Sequence, residues 1–441
     1  MCNHDWIECG DEKICLLCGQ TVEADEPAPS ATEMILPINQ VLHGNSLEVL
    51  KTLEDNFVDS IVTDPPYELG FMGKKWDSTG IAYNVELWKE CLRVLKPGGH
   101  LLAFGGTRTY HRMACAIEDA GFEIRDCIQW IYGSGFPKSY NIAKGIEGKI
   151  LHGNANTTNY KNLAKKNERK QGMGFNDIHL EQGNRPTSYE LGGVFDLDAT
   201  TPEAQQWSGW GTALKPANEP IVLARKPISE KTVAENVLKW GTGGINIDDC
   251  RIEHNEKIKT TQRRGRQNAI VMTDSSCGFD NTKNNIASAN PEGRFPANVI
   301  LDEEAGRMLD EQQEGASRFF YCAKASKKER NMGLEGVETT TVDDGRNKPI
   351  DNPFLRGKTP RQNTHPTVKP VKLMEYLITL VTPPNGIVLD PFFGSGTTGV
   401  AAVNLGFNYI GIELDEQYIE IARRRINAAR EQFHKHMEVA K

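Results

Sequence analysis

Two short stretches of the chain combine residue types that are able to do chemistry. In the first, "SIVTDPPYELG", Asp64 ends a run of apolar and β-branched residues, and Pro65, Pro66 and Tyr67 follow it directly. A carboxylate is unusual at the end of a buried strand, and two prolines make the following turn rigid because their φ angles are locked. The stretch therefore predicts a stiff strand end that presents hydrogen-bond acceptors beside an aromatic ring.

The second stretch, "IVLDPFFGSGTTGVAAVNLG", predicts a ligand-binding turn. A buried strand ends at Asp390, a turn holds Gly394 and Gly396, and a helix begins at Thr397. In such a turn the backbone approaches a ligand closely, and the N–H groups of the helix point at it. Glu413 ends the next strand, where nucleotide-binding βαβ units place a carboxylate on ribose hydroxyls. The third glycine of a dinucleotide site is missing, which favours a nucleoside cofactor without a pyrophosphate.

The N-terminus carries a cluster of metal-ligand residue types. Cys2 and His4, followed by Cys15 and Cys18, have the spacing of a tetrahedral zinc site, and Cys9 is an alternative ligand to His4. A redox CxxC pair is disfavoured because no βαβ pattern surrounds it, and plain buried cysteines are the remaining alternative. We expect one structural zinc ion.

Composition and charge allow a nucleic-acid partner without requiring one. The net charge is −8, but residues 1–60 hold twelve acidic and two basic side chains, so the remainder is slightly basic. Basic clusters lie at 165–170, 263–266 and 324–330, and phosphate binding depends on such local charge. No apolar run is long enough to span a membrane, and the first residues do not resemble a secretory signal, so we expect a cytoplasmic protein without a membrane partner.

Alternating strand and helix patterns must position these motifs. They begin near residue 36 and return at 365, which predicts an α/β fold with a doubly wound, mostly parallel sheet. The polar, Gly- and Asn-rich stretch between them predicts a loop-rich inserted module. The predicted domains are a zinc knuckle at 1–20, an acidic linker at 21–35, a first half of the α/β domain at 36–227 with an irregular insertion at 151–205, the inserted module at 228–364, a second half at 365–432 and a tail at 433–441.

The order of these motifs resembles that of a known family. "DPPY" (64–67) precedes "DPFFGSGTT" (390–398), with "HPTVKP" (365–370) just ahead of the latter. This arrangement is similar to the β class of DNA methyltransferases that modify exocyclic amino groups. The resemblance covers roughly 36–150, 207–227 and 365–432. It implies the fold of S-adenosylmethionine-dependent methyltransferases, S-adenosylmethionine as cofactor, double-stranded DNA as substrate and a bacterial or phage-infected cell as setting.

The resemblance also implies roles for individual residues on the target side. Asp64 and the Pro65 carbonyl would accept hydrogen bonds from the amino group of a flipped adenine, so that its lone pair points at the methyl group. Pro66 would stiffen this turn and Tyr67 would stack on the flipped base. Residues 130–141 would lie beside the target base, and 228–364 would read the DNA sequence.

On the cofactor side, Glu413 would bind the ribose hydroxyls and the glycine turn would surround the methionine portion. Lys369 would lie along the cofactor pocket. Asn45, where the family often has aspartate, is a candidate for the adenine of the cofactor. The predicted cofactor-binding set is Asn45, Lys369, Asp390, Phe393, Gly394, Ser395, Gly396, Thr397, Thr398 and Glu413.

Two alternatives stay open at this point. Cytosine N4 is the first, although Asp64 favours adenine because cytosine enzymes of this kind commonly have serine there. The second is a DNA-binding or anti-restriction protein that keeps the fold without activity, which the intact Asp64, Tyr67 and Glu413 disfavour. A homodimer is one assembly compatible with the sequence.

Overall fold

The computed structural model describes residues 6–9, 12–15, 21–23, 37–69, 75–133, 135, 139–153, 199–252, 293–323, 329–337, 340–341 and 360–439. The strands are β1 (Trp6–Cys9), β2 (Glu12–Cys15), β3 (Thr21–Glu23), β4 (Gln40–His43), β5 (Val58–Thr63), β6 (Leu95–Phe104), β7 (Glu123–Ile131), β8 (Asn218–Arg225), β9 (Val299–Asp302), β10 (Tyr321–Ala323), β11 (Thr340–Thr341), β12 (Pro360–Arg361), β13 (Ile387–Asp390) and β14 (Asn408–Glu413). The helices are α1 (Ser46–Leu50), α2 (Val85–Val94), α3 (Tyr110–Asp119), α4 (Ile142–His152), α5 (Pro202–Gln206), α6 (Val233–Trp240), α7 (Glu303–Gln312), α8 (Val371–Val381), α9 (Thr397–Leu405) and α10 (Glu416–Val439). Short 3₁₀ helices are Lys75–Ser78, Ile81–Tyr83, Ala316–Phe319 and Glu329–Asn331.

The N-terminal strands form a small antiparallel sheet of their own in the order β1–β2–β3. Cys2, His4 and Cys18 lie outside the described residues, and Cys15 is known only as the last residue of β2. The zinc site therefore stays a prediction.

The chain forms two compact units, and the first comprises 1–128, 220–298 and 323–441. In its main sheet the strands β8–β6–β5–β13–β14–β4 are consecutive neighbours. All neighbouring pairs in this order are parallel except β6 and β8, which are antiparallel. This confirms the predicted α/β fold with a mostly parallel sheet.

Strand β5 is buried at all six positions, including the polar residues Asp59, Ser60 and Thr63, as expected for a strand inside a parallel sheet that is covered on both faces. Its neighbour β13 is also fully buried. The register pairs Ile61 with Leu389, so the carboxyl ends of β5 and β13 lie side by side at one edge. Helix α8 buries nine of its eleven residues, and this anchors the chain segment that precedes β13.

The second unit comprises 129–219 and 299–322. Within it the last residues of β7, Gln129–Ile131, pair in parallel with β9. The buried Glu147 carboxylate in α4 accepts hydrogen bonds from the backbone and hydroxyl groups of Thr200 and Thr201, just before α5 begins. The predicted module 228–364 contributes to both units, and most of the predicted insertion lies outside the described residues.

A separate finding concerns membranes. Among the helices in the described ranges, none has the length and apolar character needed to cross a bilayer.

Candidate active site

The two sequence motifs meet at the shared edge of β5 and β13. Thr63, the last residue of β5, donates a hydrogen bond from Oγ1 to Oδ1 of Asp390 at 2.7 Å. These two residues are 327 positions apart in the chain. Because the carboxyl ends of parallel strands share one edge, a ligand site is expected there. The structure thus brings the Asp64 turn and the glycine-containing turn together.

Asp390 organises the turn that follows it. Only 2 % of its surface is exposed, and it also accepts hydrogen bonds from Thr398 Oγ1 at 2.6 Å and from the Phe392 N–H at 3.0 Å. Burial raises the pKa of Asp390 to about 6. The hydrogen bonds that Asp390 accepts all come from the protein itself and shape the turn. A direct contact between this carboxylate and a cofactor stays a prediction.

The glycine turn, residues 391–398, depends on backbone conformations that favour glycine. Gly394 has φ +52° and Gly396 has φ +79°. A β-carbon built on Gly394 would lie 2.8 Å from Nε2 of His365, and one built on Gly396 would lie 2.7 Å from the β-carbon of Ala422. The chain is therefore closely packed around both glycines, and larger residues would displace the turn.

Glu413 lies beside this turn at the end of β14. Its Oε2 accepts the Gly394 N–H at 2.7 Å, and its Oε1 accepts the N–H groups of Leu414 and Asp415 at 2.9 and 2.8 Å. Burial raises the pKa of the Glu413 carboxyl. A carboxylate oxygen has about two lone pairs, so Oε2 retains one for a ligand hydroxyl.

The side chain of Phe393 points into the protein core. Its ring is 3 % exposed and stacks on Tyr409 with a centroid distance of 5.8 Å. A β-carbon on Gly411 would lie 2.4 Å from this ring, so the ring fills the space above β14. The side chain of Phe393 therefore belongs to the core, and only its backbone is left to line a cofactor.

Arg425 of α10 holds the turn from behind and was not recognised in the sequence. Its fully buried guanidinium donates to the Ser395 carbonyl at 2.6 Å, the Ser395 hydroxyl at 3.1 Å and the Thr397 hydroxyl at 3.2 Å. Burial lowers the pKa of Arg425 to about 10. A sequence signal existed, because Arg425 interrupts the apolar stripe formed by Ala422 and Ala429.

The target-side residues surround a lysine. Lys369 Nζ lies 2.6 Å from Oδ2 of Asp64 and 3.1 Å from the hydroxyl of Tyr67. It also lies 5.3 Å from the ring centroid of Tyr67 and 4.8 Å from that of Phe104. The family resemblance implies that Lys369 lies along the cofactor pocket, and this stays a prediction; in the structure its ammonium group is hydrogen-bonded to Asp64.

The turn after Asp64 is held by two residues that sequence reasoning missed. Thr109 donates from Oγ1 to the Tyr67 carbonyl at 2.7 Å. The buried Asp77 accepts the N–H groups of Glu68 and Leu69 at 2.9 and 3.2 Å. Glu68 has φ +55°, a conformation that costs free energy and that these hydrogen bonds offset. Pro65 is buried and Pro66 half-buried, and their locked φ angles make this turn rigid.

His365 packs its ring against Gly394 and, edge to face, against Tyr418 at 4.7 Å between centroids. Burial lowers the pKa of His365 to about 3, and the positive charges of Lys369 and Arg330 add to this effect. The imidazole is therefore neutral at physiological pH.

Asn45 lies at the start of α1. Its side-chain oxygen accepts the Leu47 N–H at 3.0 Å, which makes it the N-cap of the helix. The neighbouring Ser46 hydroxyl donates to the carbonyl of Pro391 at 2.6 Å, so the start of α1 is tied to the glycine turn. Asn45 is thus near the turn, with its oxygen already engaged in capping.

Metal-ligand side chains do not cluster in the described ranges: no group of three or more His, Cys, Asp or Glu residues there is arranged to hold a metal ion.

Comparison with known proteins identifies related sequences. Residues 58–424 match the model of a family described as DNA methylase. A stretch of 65 residues is 49 % identical to Type II methyltransferase M.HinfI of Haemophilus influenzae; this stretch covers 15 % of this chain and 18 % of that protein. A stretch of 67 residues is 49 % identical to Type II methyltransferase M2.DpnII of Streptococcus pneumoniae; this stretch covers 15 % of this chain and 25 % of that protein. The chain therefore matches a quarter or less of the length of these curated relatives.

Solved structures show weaker similarity. The PvuII DNA methyltransferase, described as cytosine-N4-specific, is 15 % identical with a TM-score of 0.41, covering 89 % of this chain and 92 % of its own. M1.HpyAVI in complex with SAM is 19 % identical with a TM-score of 0.36, covering 88 % of this chain and 98 % of its own. Similarities at this level support no functional argument.

Proposed function

Because the chain belongs to the DNA methylase family, whose model matches residues 58–424, we propose that it is a site-specific DNA methyltransferase. It moves a methyl group from S-adenosylmethionine to the exocyclic amino group of a flipped adenine. The single observation that carries this proposal is the adjacency of the two strand ends, joined by the hydrogen bond from Thr63 to Asp390. Methyl transfer requires the nucleophile and the methyl group within reach of each other, and this edge presents one motif for each.

The residues of the glycine turn fit a nucleoside cofactor with a carboxylate and an amine. Gly394 and Gly396 bring backbone close to the site, and Glu413 keeps an acceptor for a ribose hydroxyl. S-adenosylmethionine, when bound, supplies an electrophilic methyl group on a sulfonium ion. Arg425 stabilises the shape of this turn through its hydrogen bond to the Ser395 carbonyl.

On the target side, Asp64 and the Pro65 carbonyl accept hydrogen bonds from the amino group. The nitrogen lone pair is delocalised into the ring of a free base, and these acceptors draw it toward a tetrahedral geometry. The lone pair of this nitrogen would then face the methyl group that S-adenosylmethionine supplies, and Asp64 or water would accept the proton that the nitrogen loses. Tyr67 stacks on the base outside the duplex, since the amino group cannot be reached within the stack.

Double-stranded DNA is the proposed partner, with 228–364 as sequence reader and 130–141 beside the target base. The basic clusters at 165–170 and 263–266 lie outside the described residues. Homodimerisation stays a prediction.

The test is transfer of a radiolabelled methyl group to unmethylated DNA, followed by nucleoside analysis. We expect N6-methyladenine; N4-methylcytosine instead would correct the base, and unlabelled DNA would overturn the proposal in favour of a non-catalytic DNA-binding or anti-restriction protein. Asp64→Ala should lower the rate by roughly 10²–10³-fold with cofactor affinity retained. Glu413→Gln should act mainly on the cofactor and weaken its binding. If Asp64→Ala kept more than about a tenth of the activity, the role of Asp64 would be wrong.

A further inference from the structure

We infer that the Lys369 ammonium group holds the place of the target amino group in the protein without DNA and is displaced when the base enters. The inference rests on the proposed function and deepens it. It assigns Lys369 to the target-base side of the site as a positioning residue, and not to the cofactor pocket.

The position of the ammonium group carries the argument. Lys369 Nζ is 2.6 Å from Oδ2 of Asp64, the distance of a charge-assisted hydrogen bond. Only 9 % of the lysine side chain and 19 % of the Asp64 side chain are exposed, so this ion pair is largely shielded from solvent. The carboxylate proposed to receive the target amino group is thus already bonded to a nitrogen donor.

The same ammonium group also occupies the space of the base. It lies 3.1 Å from the Tyr67 hydroxyl and within 5.3 Å of the Tyr67 ring centroid, on the ring proposed to stack on the flipped base. The ring centroid of Phe104 also lies 4.8 Å from Nζ. An ammonium group and an exocyclic amine both donate N–H hydrogen bonds to a carboxylate, and the ammonium group already lies against both Oδ2 of Asp64 and the Tyr67 ring, so the two groups compete for the same position.

Displacement requires only the side chain of Lys369 to move. Pro370 follows it and precedes α8, which is almost entirely buried, so the backbone at 369–371 is anchored. The four-carbon stem of lysine can swing between rotamers while the backbone stays in place. Once the ammonium group leaves, Asp64 regains the full acceptor strength that the amino nitrogen needs.

The test uses the full-length protein and duplex DNA that keeps adenine at the mapped target position and carries 2-aminopurine beside it, whose fluorescence rises when the neighbouring base leaves the stack. Lys369→Met removes the competing cation at similar length, and Lys369→Arg is the matched control that keeps it. We expect Lys369→Met to reach half-maximal fluorescence at about tenfold lower protein concentration than wild type, since one charge-assisted hydrogen bond no longer has to be broken. Lys369→Arg should not show this gain. Binding of S-adenosylhomocysteine should change less than about threefold in both.

Two results would overturn the inference. Weaker S-adenosylhomocysteine binding by Lys369→Met with unchanged base flipping would return Lys369 to the cofactor pocket. Weaker flipping would make it a ligand of the base and not a competitor. Lys369→Leu, which also lacks an N–H donor, provides the same comparison if the methionine variant does not fold. Failure of the proposed function is separate, because it appears as wild-type protein that methylates no DNA.

Discussion

Replacing Gly394 by alanine tests whether the glycine turn is shaped for a cofactor, and Gly406→Ala at the other end of α9 is its matched control. Both glycines have positive φ, +52° and +75°. A β-carbon on Gly394 would lie 2.8 Å from Nε2 of His365, well inside ordinary contact. A β-carbon on Gly406 would meet its nearest neighbour, Cζ of Phe433, at 3.8 Å, which is an ordinary contact distance.

Two free-energy costs can be separated: backbone strain, which both variants share, and displacement of the turn, which only Gly394→Ala causes. The left-handed conformation costs about 1–2 kcal/mol for a residue with a β-carbon, and the lower entropy of the unfolded chain offsets about 0.4–1 kcal/mol of this. Both variants should therefore lose about 1 kcal/mol of unfolding free energy. Gly394→Ala must in addition move the buried imidazole or the turn, and this displaces the N–H that donates to Glu413 at 2.7 Å. A hydrogen bond to a charged group contributes about 1.5–3 kcal/mol to the folded protein, so Gly394→Ala should lose this unfolding free energy in addition to the strain, and the displaced Glu413 should bind the cofactor less tightly.

The assay is calorimetric titration with S-adenosylmethionine beside urea unfolding of both variants. We expect cofactor affinity to fall at least tenfold in Gly394→Ala and to stay within about twofold of wild type in Gly406→Ala. Equal affinities of the two variants would refute the reasoning, because backbone strain alone would then explain every effect of Gly394→Ala.

Four further predictions concern other parts of the chain. Arg425→Met should remove three hydrogen bonds from the glycine turn and weaken S-adenosylmethionine binding by about tenfold or more, measured by calorimetry. His365→Gln should flatten the pH dependence of stability between pH 3 and 6.5, measured by urea unfolding. The unfolded chain binds a proton near pH 6.5 that the folded protein binds only near pH 3. The stability of the wild type therefore falls as the pH falls through this window, by up to about 1.4 kcal/mol per pH unit. Charge reversal of the arginines in 263–266 should weaken DNA binding and lower the slope of log affinity against log salt by about one for each phosphate contact. Deleting 1–33 should remove one zinc ion by elemental analysis and leave methyl transfer near the wild-type rate, because four N/S ligands make a closed structural site.

Controls exist within the chain for two of these predictions. Arg424→Met alters the exposed neighbour that pairs with Glu420 and should leave cofactor affinity unchanged; an equal loss in both arginine variants would contradict the role of Arg425. His111, exposed on α3, is the control for His365, and a wild-type slope in His365→Gln would show that the imidazole is not buried neutral. Affinity and slope that survive charge reversal would make 263–266 ordinary surface. An intact protein free of zinc would refute the metal site, and a truncated protein that binds cofactor but cannot methylate would show that the N-terminus takes part in transfer.

The local features of the site could be predicted from the sequence because each depends on a few neighbouring residues. The end of β5 at Thr63 follows from its apolar run and the two prolines. The left-handed conformations of Gly394 and Gly396 and the start of α9 follow from the spacing of glycines and threonines. The mostly parallel sheet follows from alternating strand and helix patterns, which allow few other arrangements.

Contacts between distant residues were decided by the tertiary structure. Lys369 lies on Asp64, 305 positions earlier, and Arg425 enters the glycine turn from α10, 28 to 30 positions later in the chain. Phe393 turned into the core because the backbone of Gly411 leaves room for its ring. Residue type determines which hydrogen bonds a side chain can make. Strand order and side-chain packing determine which partner lies within hydrogen-bond distance. The sequence alone does not specify that partner, because the burial of apolar side chains is non-directional.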